Sequence, residues 1–386
     1  MSILSNKTIS ILGSTGSVGR QTLDIARKQN IKVYGLTAAS SVDILEEQIR
    51  EFSPMVCAML DENAANDLKV RVADTSCKVF SGIEAICEIA GAAENDVVVN
   101  SITGIAGLRP SLSVISAGKD LALANKETIV TAGKLVMSET KNNNVSILPV
   151  DSEHSAIFQS IGSNNKKDIA RILLTASGGP FFGCKREELI GITPQRALAH
   201  PTWNMGPKIT IDSASLMNKG FEVIEAVHLF DIEPSKVEVI VHRESIIHSL
   251  VEYTDKTTLA QLSHPDMRLP IQYALSHPER VEVDLKPLDL VSIGKMTFAA
   301  PDMDTFKLLP LAYHVANKPD GTLGAVLNGA NERAVELFLK GKIAFTDIFD
   351  SVEHVVLNSK ELDLTVENIF IADAESRRAI DEYFGS

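Results

Sequence analysis

The first 150 residues alternate short apolar runs with longer amphipathic stretches. The apolar runs are rich in β-branched residues and predict strands, while stretches such as Val42–Phe52 and Glu127–Thr140 have the apolar spacing of helices. This alternation is typical of a parallel sheet covered by helices, in which ligands bind beyond the carboxyl ends of the strands. The predicted strands are Thr8–Leu12, Lys32–Thr37, Val56–Leu60, Lys78–Phe80, Asp96–Asn100, Asp120–Ala122 and Val145–Val150.

The pattern changes from about residue 168. Apolar runs now follow one another with short connections, which favours antiparallel pairing in an α+β domain. Prolines interrupt the stretch 286–311, as is typical of a linker, and the residues after it have helical spacing, with Thr365 placed to cap the last helix. The predicted strands of this part are Ala170–Thr175, Lys208–Asp212, Val237–His242, Ile246–Tyr253 and Thr258–Leu262.

Together these patterns predict an α/β protein with three domains. A Rossmann-like parallel-sheet domain takes residues 1–150, and a central α+β catalytic domain takes residues 151–285. A linker at 286–311 then leads to a C-terminal helical domain at 312–386. A chain of 386 residues is long enough to build several separate cores.

Composition and charge argue against several classes of protein. A net charge of −13 opposes a general nucleic-acid surface, which requires clustered lysine and arginine. No apolar run reaches the roughly 18 residues of a membrane span, and the N-terminal residues lack the features of a signal peptide. The four cysteines have no metal-ligand spacing and are expected to be small buried hydrophobes. We therefore expect a cytoplasmic protein that binds neither nucleic acid nor membrane.

A glycine-rich segment, GSTGSVG, stands at residues 13–19, where the first predicted strand meets the first predicted helix. Gly13 permits a tight turn, Gly16 lets a pyrophosphate approach the backbone, and Gly19 lets the helix pack on the sheet. The free N–H groups of a helix N-terminus would then face the anion. The spacing differs from the commoner G-x-G-x-x-G, so a structural turn is the alternative to dinucleotide binding. The candidate cofactor residues here are Gly13, Thr15, Gly16, Ser17 and Val18.

The end of the second predicted strand bears on the choice of dinucleotide. NAD sites usually carry an acidic residue there, which bonds the ribose hydroxyl, and this chain has none. It has no arginine or lysine there either, so a strong clamp for the 2′-phosphate of NADP is missing. The turn consists of Ala39, Ser40 and Ser41, whose two hydroxyls favour NADP through neutral hydrogen bonds.

Two acidic residues follow the last strand of the first predicted domain. Residues two apart in an extended chain point the same way, so Asp151 and Glu153 are expected to share a face, with Ser152 opposed. Crowded carboxylates need a neutralising cation, and oxygen-only ligands suit Mg²⁺ or Mn²⁺ rather than a structural zinc. The alternative is a solvated acidic turn.

A third carboxylate is predicted on the helix-like segment Ser215–Glu225. Asn218 and Glu222 stand four residues apart, and Lys219 and Glu222 stand three apart, so the three share one helix face. The alternative is an ordinary surface salt bridge. Glu222 is the candidate metal ligand, whereas Ser213, Asn218 and Lys219 are donors of the kind that a phosphate group needs.

Three further motifs carry residues suited to ligand binding. TASGGPF ends a predicted strand with Ser177 and two glycines, and LANKET places Lys126 at the ligand end of the sheet. HPTWNMGP begins at His200 and contains the single tryptophan, Trp203. This loop suits a lid that covers a ligand and excludes water, with a packed structural loop as the alternative.

These motifs occur together in one family. Along the chain stand, in order, GSTGSVG, LANKE, LPVDSEH, TASGGPF, HPTWNMG, DSASLMNKGFEVIEA, HRESIIHSLVEY, KPLDL, TFAAPD and LNGANE. With them the chain resembles the 1-deoxy-D-xylulose 5-phosphate reductoisomerase family of the non-mevalonate isoprenoid pathway, from residue 7 to the helical tail. The resemblance implies conversion of 1-deoxy-D-xylulose 5-phosphate into 2-C-methyl-D-erythritol 4-phosphate with NADPH and Mg²⁺, Mn²⁺ or Co²⁺. It also implies a cofactor domain, a catalytic domain, a helical domain and a homodimer.

The resemblance assigns roles to individual residues. The implied metal ligands are Asp151, Glu153 and Glu222, which with Lys126 form the catalytic set. The implied substrate contacts are Lys126, Ser152, Ser177, His200, Ser213, Asn218 and Lys219, to which we add Glu153, Glu222 and Trp203. The implied cofactor contacts are Thr15, Gly16, Ser17, Val18, Asn125, Glu127 and Gly206. Some relatives carry a basic residue where this chain has Ala39-Ser40-Ser41, and this departure bears on the preference for NADPH over NADH.

Two other functions fit parts of the sequence. Another NADP-dependent sugar-phosphate or semialdehyde oxidoreductase would share the glycine loop, but semialdehyde chemistry requires a nucleophilic cysteine, for which Cys184 is the nearest candidate. A sensor of NADP or of a sugar phosphate would share the same loop but would not need three metal-binding carboxylates.

Overall fold

The computed structural model of the chain describes residues 3–203 and 205–385. Two compact units divide these residues. The first unit comprises the residues up to Thr128, Val136–Ser155 and Asp266–Leu285, and the second comprises Ile129–Leu135, Ala156–Pro265 and the residues from Lys286 on. The domain bounds given above remain predictions, and residues 266–285 group with the first unit. Within the described ranges, no helix is both long and apolar enough to cross a membrane.

A seven-stranded parallel sheet forms the core of the first unit, which confirms the predicted fold class. Its strands are β1 (Thr8–Leu12), β2 (Lys32–Ala38), β3 (Val56–Met59), β4 (Lys78–Ser81), β5 (Val97–Asn100), β6 (Asp120–Leu123) and β7 (Ile147–Pro149). They lie in the order β4-β3-β2-β1-β5-β6-β7. The strand order reverses between β1 and β5, and doubly wound sheets bind ligands at the carboxyl ends of such a pair.

Helices connect these strands and cover the sheet. Helix α1 is an example, because it buries Leu23, Ile25 and Ala26 and contacts both β1 and α11. The helices of this part of the chain are α1 (Ser17–Gln29), α2 (Val42–Phe52), α3 (Glu62–Arg71), α4 (Gly82–Ala90), α5 (Leu108–Ser116), α6 (Lys126–Asn143) and α7 (Ser152–Ile161).

The second unit contains a four-stranded sheet and most of the remaining helices. The strands β8 (Ile169–Ala176), β9 (Val237–Val241), β10 (Ile247–Tyr253) and β11 (Thr258–Leu262) lie in the order β11-β10-β8-β9. β10 is antiparallel to both neighbours, as predicted, whereas β8 and β9 are parallel because a long helical excursion separates them in the chain. The helices are α8 (Pro194–Ala197), α9 (Pro207–Ala214), α10 (Met217–Phe230), α11 (Arg268–Ser276, which packs in the first unit), α12 (Leu290–Ile293), α13 (Leu308–Ala316), α14 (Leu323–Leu339), α15 (Phe345–Asn358) and α16 (Val366–Tyr383).

Two local predictions are wrong. Lys208–Asp212 forms part of α9 rather than a strand, because Pro207 occupies the first helical turn, where its missing N–H is not needed. The β-branched alternation of this segment gave the strand signal. Asp151 and Glu153 do not share an extended segment either, because α7 begins at Ser152 and Glu153 lies in its first turn.

The cysteines are less buried than expected. Cys57, on the interior strand β3, is fully buried, but Cys77, Cys87 and Cys184 are partly exposed. Cys77 directly precedes β4, an edge strand whose residues are mostly exposed, so its position in the sheet explains the difference.

Buried aromatic rings join α14 and α15 to the loop after β8. The ring of Phe345 lies 5.2 Å from that of Phe181, 5.5 Å from that of Phe338 and 5.4 Å from that of Phe349, measured between centroids. Each of the four side chains is at most 1 % exposed. Edge-to-face contacts of this kind add to the free energy gained by burying the rings.

We expect Phe345→Ala to reduce the free energy of unfolding by about 3–5 kcal/mol, because it removes a ring from the centre of this cluster and leaves a cavity. Denaturant unfolding would measure the change. Val291→Ala provides the control, since Val291 is 92 % exposed and its truncation should have little effect. A loss no larger for Phe345→Ala than for Val291→Ala would contradict the role of the cluster.

Candidate active site

The glycine loop turns tightly at the carboxyl end of β1. Gly13 has a φ of 80°, and the amides of Gly13 and Ser14 both donate to the carbonyl of Thr37 on β2, at 3.1 and 2.8 Å. A Cβ on Gly13 would lie 2.9 Å from the carbonyl oxygen of Ser101. A Cβ on Gly19 would lie 2.5 Å from the carbonyl oxygen of Gly13. Both glycines are therefore required by the backbone itself, as the sequence suggested for the turn and the helix contact.

Helix α1 begins at the end of this loop without a side-chain cap. Gly16, the residue before the helix, is exposed, and as a glycine it has no side chain that could cap the N-terminal amides of α1. Ser17 is exposed, while Thr15 and Val18 are partly exposed. The N-terminal amides thus keep the arrangement that suits a phosphate. The cofactor roles of these residues remain predictions.

The sequence analysis missed Gln48, which anchors the loop from α2. The hydroxyl of Ser14 donates to Oε1 of Gln48 at 2.7 Å, and Nε2 of Gln48 donates to the carbonyl of Ser14 at 3.0 Å. Both residues are buried. The available signal was a polar residue on the apolar face of α2, beside Leu45 and Ile49.

The turn after β2 is open to solvent. Ala39, Ser40 and Ser41 are all exposed, and within the described ranges the two serine side chains make no hydrogen bond. The hydroxyls are thus available to a ligand, and their role toward a 2′-phosphate remains a prediction.

Asn125, Lys126 and Glu127 follow β6 and are buried. Oδ1 of Asn125 accepts the amide of Thr128 at 3.0 Å and so caps α6, while Nδ2 donates to the carbonyl of Ile102 at 2.7 Å. Nδ2 also donates to the side chain of Glu127 at 3.0 Å. The Asn125 side chain therefore shapes the loop after β5, and its contact with a cofactor remains a prediction.

Asp151 both caps α7 and contacts the side chains of Lys126 and His154. Its Oδ1 accepts the amides of Glu153 and His154 at 3.1 and 3.2 Å, and it lies 2.9 Å from Nδ1 of His154. Its Oδ2 accepts a hydrogen bond from Nζ of Lys126 at 2.5 Å. Burial by itself would raise the pKa of Asp151, but the positive charges of Lys126 and His154 hold this pKa well below its usual range. The carboxylate is thus ionised, as a metal ligand must be.

Glu222 occupies the face of α10 that the sequence predicted. It is 1 % exposed, and its carboxylate accepts hydrogen bonds from Nζ of Lys219 and, at 2.6 Å, from Nδ2 of Asn218. Oδ1 of Asn218 is buried and has no hydrogen-bond partner in the described part of the chain, so it can accept a hydrogen bond from a ligand. Gly220 allows α10 to approach α13, because a Cβ there would lie 2.6 Å from Cβ of Ala312.

The three predicted carboxylates come together. Asp151, Glu153 and Glu222 each offer an oxygen, and these oxygens all lie within 4.8 Å of one another. Ser152 donates to the Glu153 carboxylate at 2.5 Å. An all-oxygen set of this charge suits a hard divalent cation. The oxygen donors of these three residues are of the kind that Mg²⁺ prefers. Their role as metal ligands remains a prediction.

His200 joins two of the predicted substrate residues. Its Nε2 lies 3.0 Å from the hydroxyl of Ser177 and 3.1 Å from that of Ser213. Its Nδ1 accepts the backbone amides of Thr202 and Trp203, at 3.2 and 2.9 Å. Since Nδ1 is an acceptor, the neutral ring carries its proton on Nε2 and directs it toward the serine hydroxyls.

Two successive glycines place Ser177 beside Ser213. Gly178 and Gly179 have φ values of 76° and 64°, and a Cβ on Gly179 would lie 2.6 Å from the carbonyl oxygen of Ser213. Only glycine allows the loop after β8 to approach this closely. The hydroxyls of Ser177 and Ser213 and the imidazole of His200 thus form a group of neutral donors, which suits the oxygens of a phosphate.

The candidate lid is partly described. The ring of Trp203 meets the ring of His248 edge to face, with centroids 6.2 Å apart. Gly206 directly precedes α9, and a Cβ there would meet nothing within 4 Å. Asn204, in the same motif, lies outside the described residues. The covering role of Trp203 and the cofactor role of Gly206 remain predictions.

Comparison with known families covers most of the chain. The model for 1-deoxy-D-xylulose 5-phosphate reductoisomerase matches residues 9–133. The model for the C-terminal domain of 1-deoxy-D-xylulose 5-phosphate reductoisomerase matches residues 147–230, and a further DXP reductoisomerase C-terminal domain matches residues 262–379.

Individual relatives agree with these matches. The 1-deoxy-D-xylulose 5-phosphate reductoisomerase of Acetivibrio thermocellus is 54% identical over 97% of this chain and 98% of its own length. The enzyme of that name from Zymomonas mobilis, solved in complex with NADPH, is 40% identical with a TM-score of 0.92 and covers 98% of this chain and 99% of its own. A DOX-P reductoisomerase solved with NADPH, fosmidomycin and magnesium is 39% identical with a TM-score of 0.93 and covers 98% of each chain.

We expect His200 to remain neutral across the physiological range. Burial, with a smaller effect from the charge of Arg243, lowers the pKa of His200 from 6.5 to about 4. Titration by NMR, with the resonance assigned through His200→Asn, should show no protonation of His200 between about pH 5.5 and 8. A midpoint near 6.5 would contradict the donor geometry described above.

Proposed function

Because this chain belongs to the 1-deoxy-D-xylulose 5-phosphate reductoisomerase family and is thus an NADP-dependent oxidoreductase, we propose that it converts 1-deoxy-D-xylulose 5-phosphate into 2-C-methyl-D-erythritol 4-phosphate. The reaction is a rearrangement followed by a reduction and supplies isoprenoid precursors. The observation that carries the proposal is the convergence of Asp151, Glu153 and Glu222, since this chemistry needs a Lewis acid next to a carbonyl.

The three carboxylates would hold the ion, and magnesium in three similar solved structures supports Mg²⁺ as the metal. We propose Mn²⁺ or Co²⁺ as substitutes, because both accept oxygen ligands. A bound ion would polarise the substrate carbonyl and stabilise negative charge on its oxygens. Lys126 and Lys219 are already hydrogen-bonded to Asp151 and Glu222, so both ammonium groups lie where they can also bond substrate oxygens.

NADPH is supported by the glycine loop and by two similar structures that contain it. The amides of Thr15, Ser17 and Val18 would bind the pyrophosphate, and Ser40 and Ser41 would bond the 2′-phosphate. Asn125, Glu127 and Gly206 would complete the cofactor site. The nicotinamide would supply the hydride that reduces the rearranged aldehyde.

We propose that the substrate phosphate is held by Ser177, Ser213, Asn218 and Lys219, with His200 donating from its neutral ring. Trp203 would cover the ligand and exclude water. Binding of the unreactive phosphate would orient the reacting end of the sugar, whose oxygens would contact Ser152. The donors described above are the support for this assignment.

Two further properties are proposed from the family. We propose a homodimer and a cytoplasmic location. Neither alternative function named above accounts for three converging carboxylates, since a semialdehyde dehydrogenase depends on a cysteine and a sensor needs no metal.

The direct test of the proposal is oxidation of NADPH by the purified chain with 1-deoxy-D-xylulose 5-phosphate and Mg²⁺, followed at 340 nm (the absorbance of reduced nicotinamide). We expect turnover that chelation abolishes and that added Mg²⁺ restores, with blocked thiols having no effect. Turnover that resists chelation but is lost on thiol modification would favour a cysteine-dependent dehydrogenase instead.

We expect Glu222→Gln to lower kcat by more than about 100-fold and to weaken Mn²⁺ binding, because loss of groups outside the ligand shell alone costs 10–100-fold. Steady-state kinetics and calorimetric titration with Mn²⁺ would measure both effects. Glu225→Gln, the same change one turn later on α10, provides the matched control. Wild-type metal affinity in Glu222→Gln would refute the metal assignment.

A further inference from the structure

Arg243 stands between β9 and β10 and bonds the loop that carries Ser177. Its Nη1 donates to the carbonyl of Ser177 at 3.0 Å and to the carbonyl of Gly179 at 2.7 Å. Its guanidinium lies over the ring of Phe182, 5.1 Å from the centroid. One side chain thus forms hydrogen bonds at both ends of the two-glycine turn.

The positive charge of Arg243 is not neutralised by a carboxylate in the described part of the chain. Within 4.0 Å, none of the described aspartate or glutamate side chains forms an ion pair with it. The adjacent Glu244 instead accepts hydrogen bonds from the hydroxyl and amide of Thr297, at 2.7 and 3.2 Å. Partly buried arginines usually pair with an acid, so a cation that bonds only carbonyls and an aromatic face is available to attract an anion.

The turn explains why such a clamp is needed. Gly178 and Gly179 both have positive φ, a conformation that glycine also leaves readily because it has no Cβ. Arg243 bonds the carbonyls on either side of Gly178, and these two hydrogen bonds restrict the backbone freedom of the glycines. Ser177 is then held with its hydroxyl on Nε2 of His200, beside Ser213.

We propose that Arg243 is a positioning residue for the substrate phosphate, which fixes Ser177 through the two carbonyls and adds an unpaired positive charge to a site otherwise rich in neutral donors. The inference rests on the proposed function and deepens it. The ligand class is a dianionic phosphate monoester. Burial, and to a smaller extent the charge of Arg243, lowers the pKa of His200.

The test compares Arg243→Met, which removes the charge and both hydrogen bonds, with Arg243→Lys, which keeps a charge and can bond one carbonyl. In Arg243→Met we expect KM for 1-deoxy-D-xylulose 5-phosphate to rise between about 10- and 100-fold, the range of a lost charged hydrogen bond. We expect kcat and KM for NADPH to stay within about twofold of wild type. Arg243→Lys should recover part of the loss.

Arg171→Met is the matched control. Arg171 lies on β8 in the same sheet and pairs with Glu238 and Glu252 on the partly exposed face. Its loss should leave every kinetic constant unchanged, since exposed ion pairs contribute little.

Inorganic phosphate provides a readout that does not depend on turnover. We expect phosphate to compete with the substrate in wild type, and its dissociation constant, measured by Trp203 fluorescence or calorimetry, to rise in Arg243→Met in parallel with KM. A fall in kcat together with comparable rises in KM for the substrate and for NADPH would show a purely structural effect and overturn the proposal. Unchanged phosphate affinity would overturn it as well.

The two proposals fail in different ways. If wild type binds phosphate but does not turn over 1-deoxy-D-xylulose 5-phosphate, the proposed function fails, and the phosphate titration still decides the role of Arg243. If wild type turns over the substrate and Arg243→Met matches it in KM and in phosphate affinity, only the role of Arg243 fails.

Discussion

The mutual repulsion of three carboxylates is the constraint on which this site depends. Oxygens of Asp151, Glu153 and Glu222 within 4.8 Å of one another repel by about 3–4 kcal/mol per pair at an effective dielectric constant near 20. The chain offsets this repulsion locally, with Lys126 on Asp151 and Lys219 on Glu222. The divalent ion that we propose would add the remaining compensation at the same place. Both lysines are buried beside the carboxylates that they neutralise, so neither side of these ion pairs is left as an unpaired buried charge.

The proposed phosphate site, in contrast, contains few formal charges. Ser177, Ser213 and a neutral His200 offer hydroxyl and imidazole donors, and the chain brings them together through a turn of two glycines. Neutral donors can be placed next to one another without repulsion, so they can set the shape of the proposed phosphate site, whereas Lys219 and Arg243 would supply its positive charge. Orientation and charge thus come from different side chains, and each can be changed separately.

The sequence predicted the parts of the structure that depend on local patterns. Strand and helix alternation predicted the parallel sheet, and the three- and four-residue spacing of Asn218, Lys219 and Glu222 predicted their common face. The strand predicted for Lys208–Asp212 was wrong because alternating β-branched residues occur both in strands and in buried helices. The extended segment predicted for Asp151 and Glu153 was wrong because Asp151 caps a helix, which ends the extended segment there. Gln48 and Arg243 were missed since their partners, Ser14 and Ser177, lie 34 and 66 residues away, and only the folded chain shows the contact. The domain bounds and the residue roles are still predictions.

The hydrogen bonds to Nδ1 of His200 tie the backbone at Thr202 and Trp203 to the same imidazole whose other nitrogen meets two serines. A displacement of this segment must either break those two bonds or rotate the ring, and rotation withdraws Nε2 from the serine hydroxyls. The positions of the tryptophan segment and of the two serine hydroxyls are therefore linked through one side chain. At the phosphate site that we propose, a bound anion would hold the ring of His200 in place and with it the backbone at Thr202 and Trp203, and displacement of that backbone would withdraw a donor from the anion.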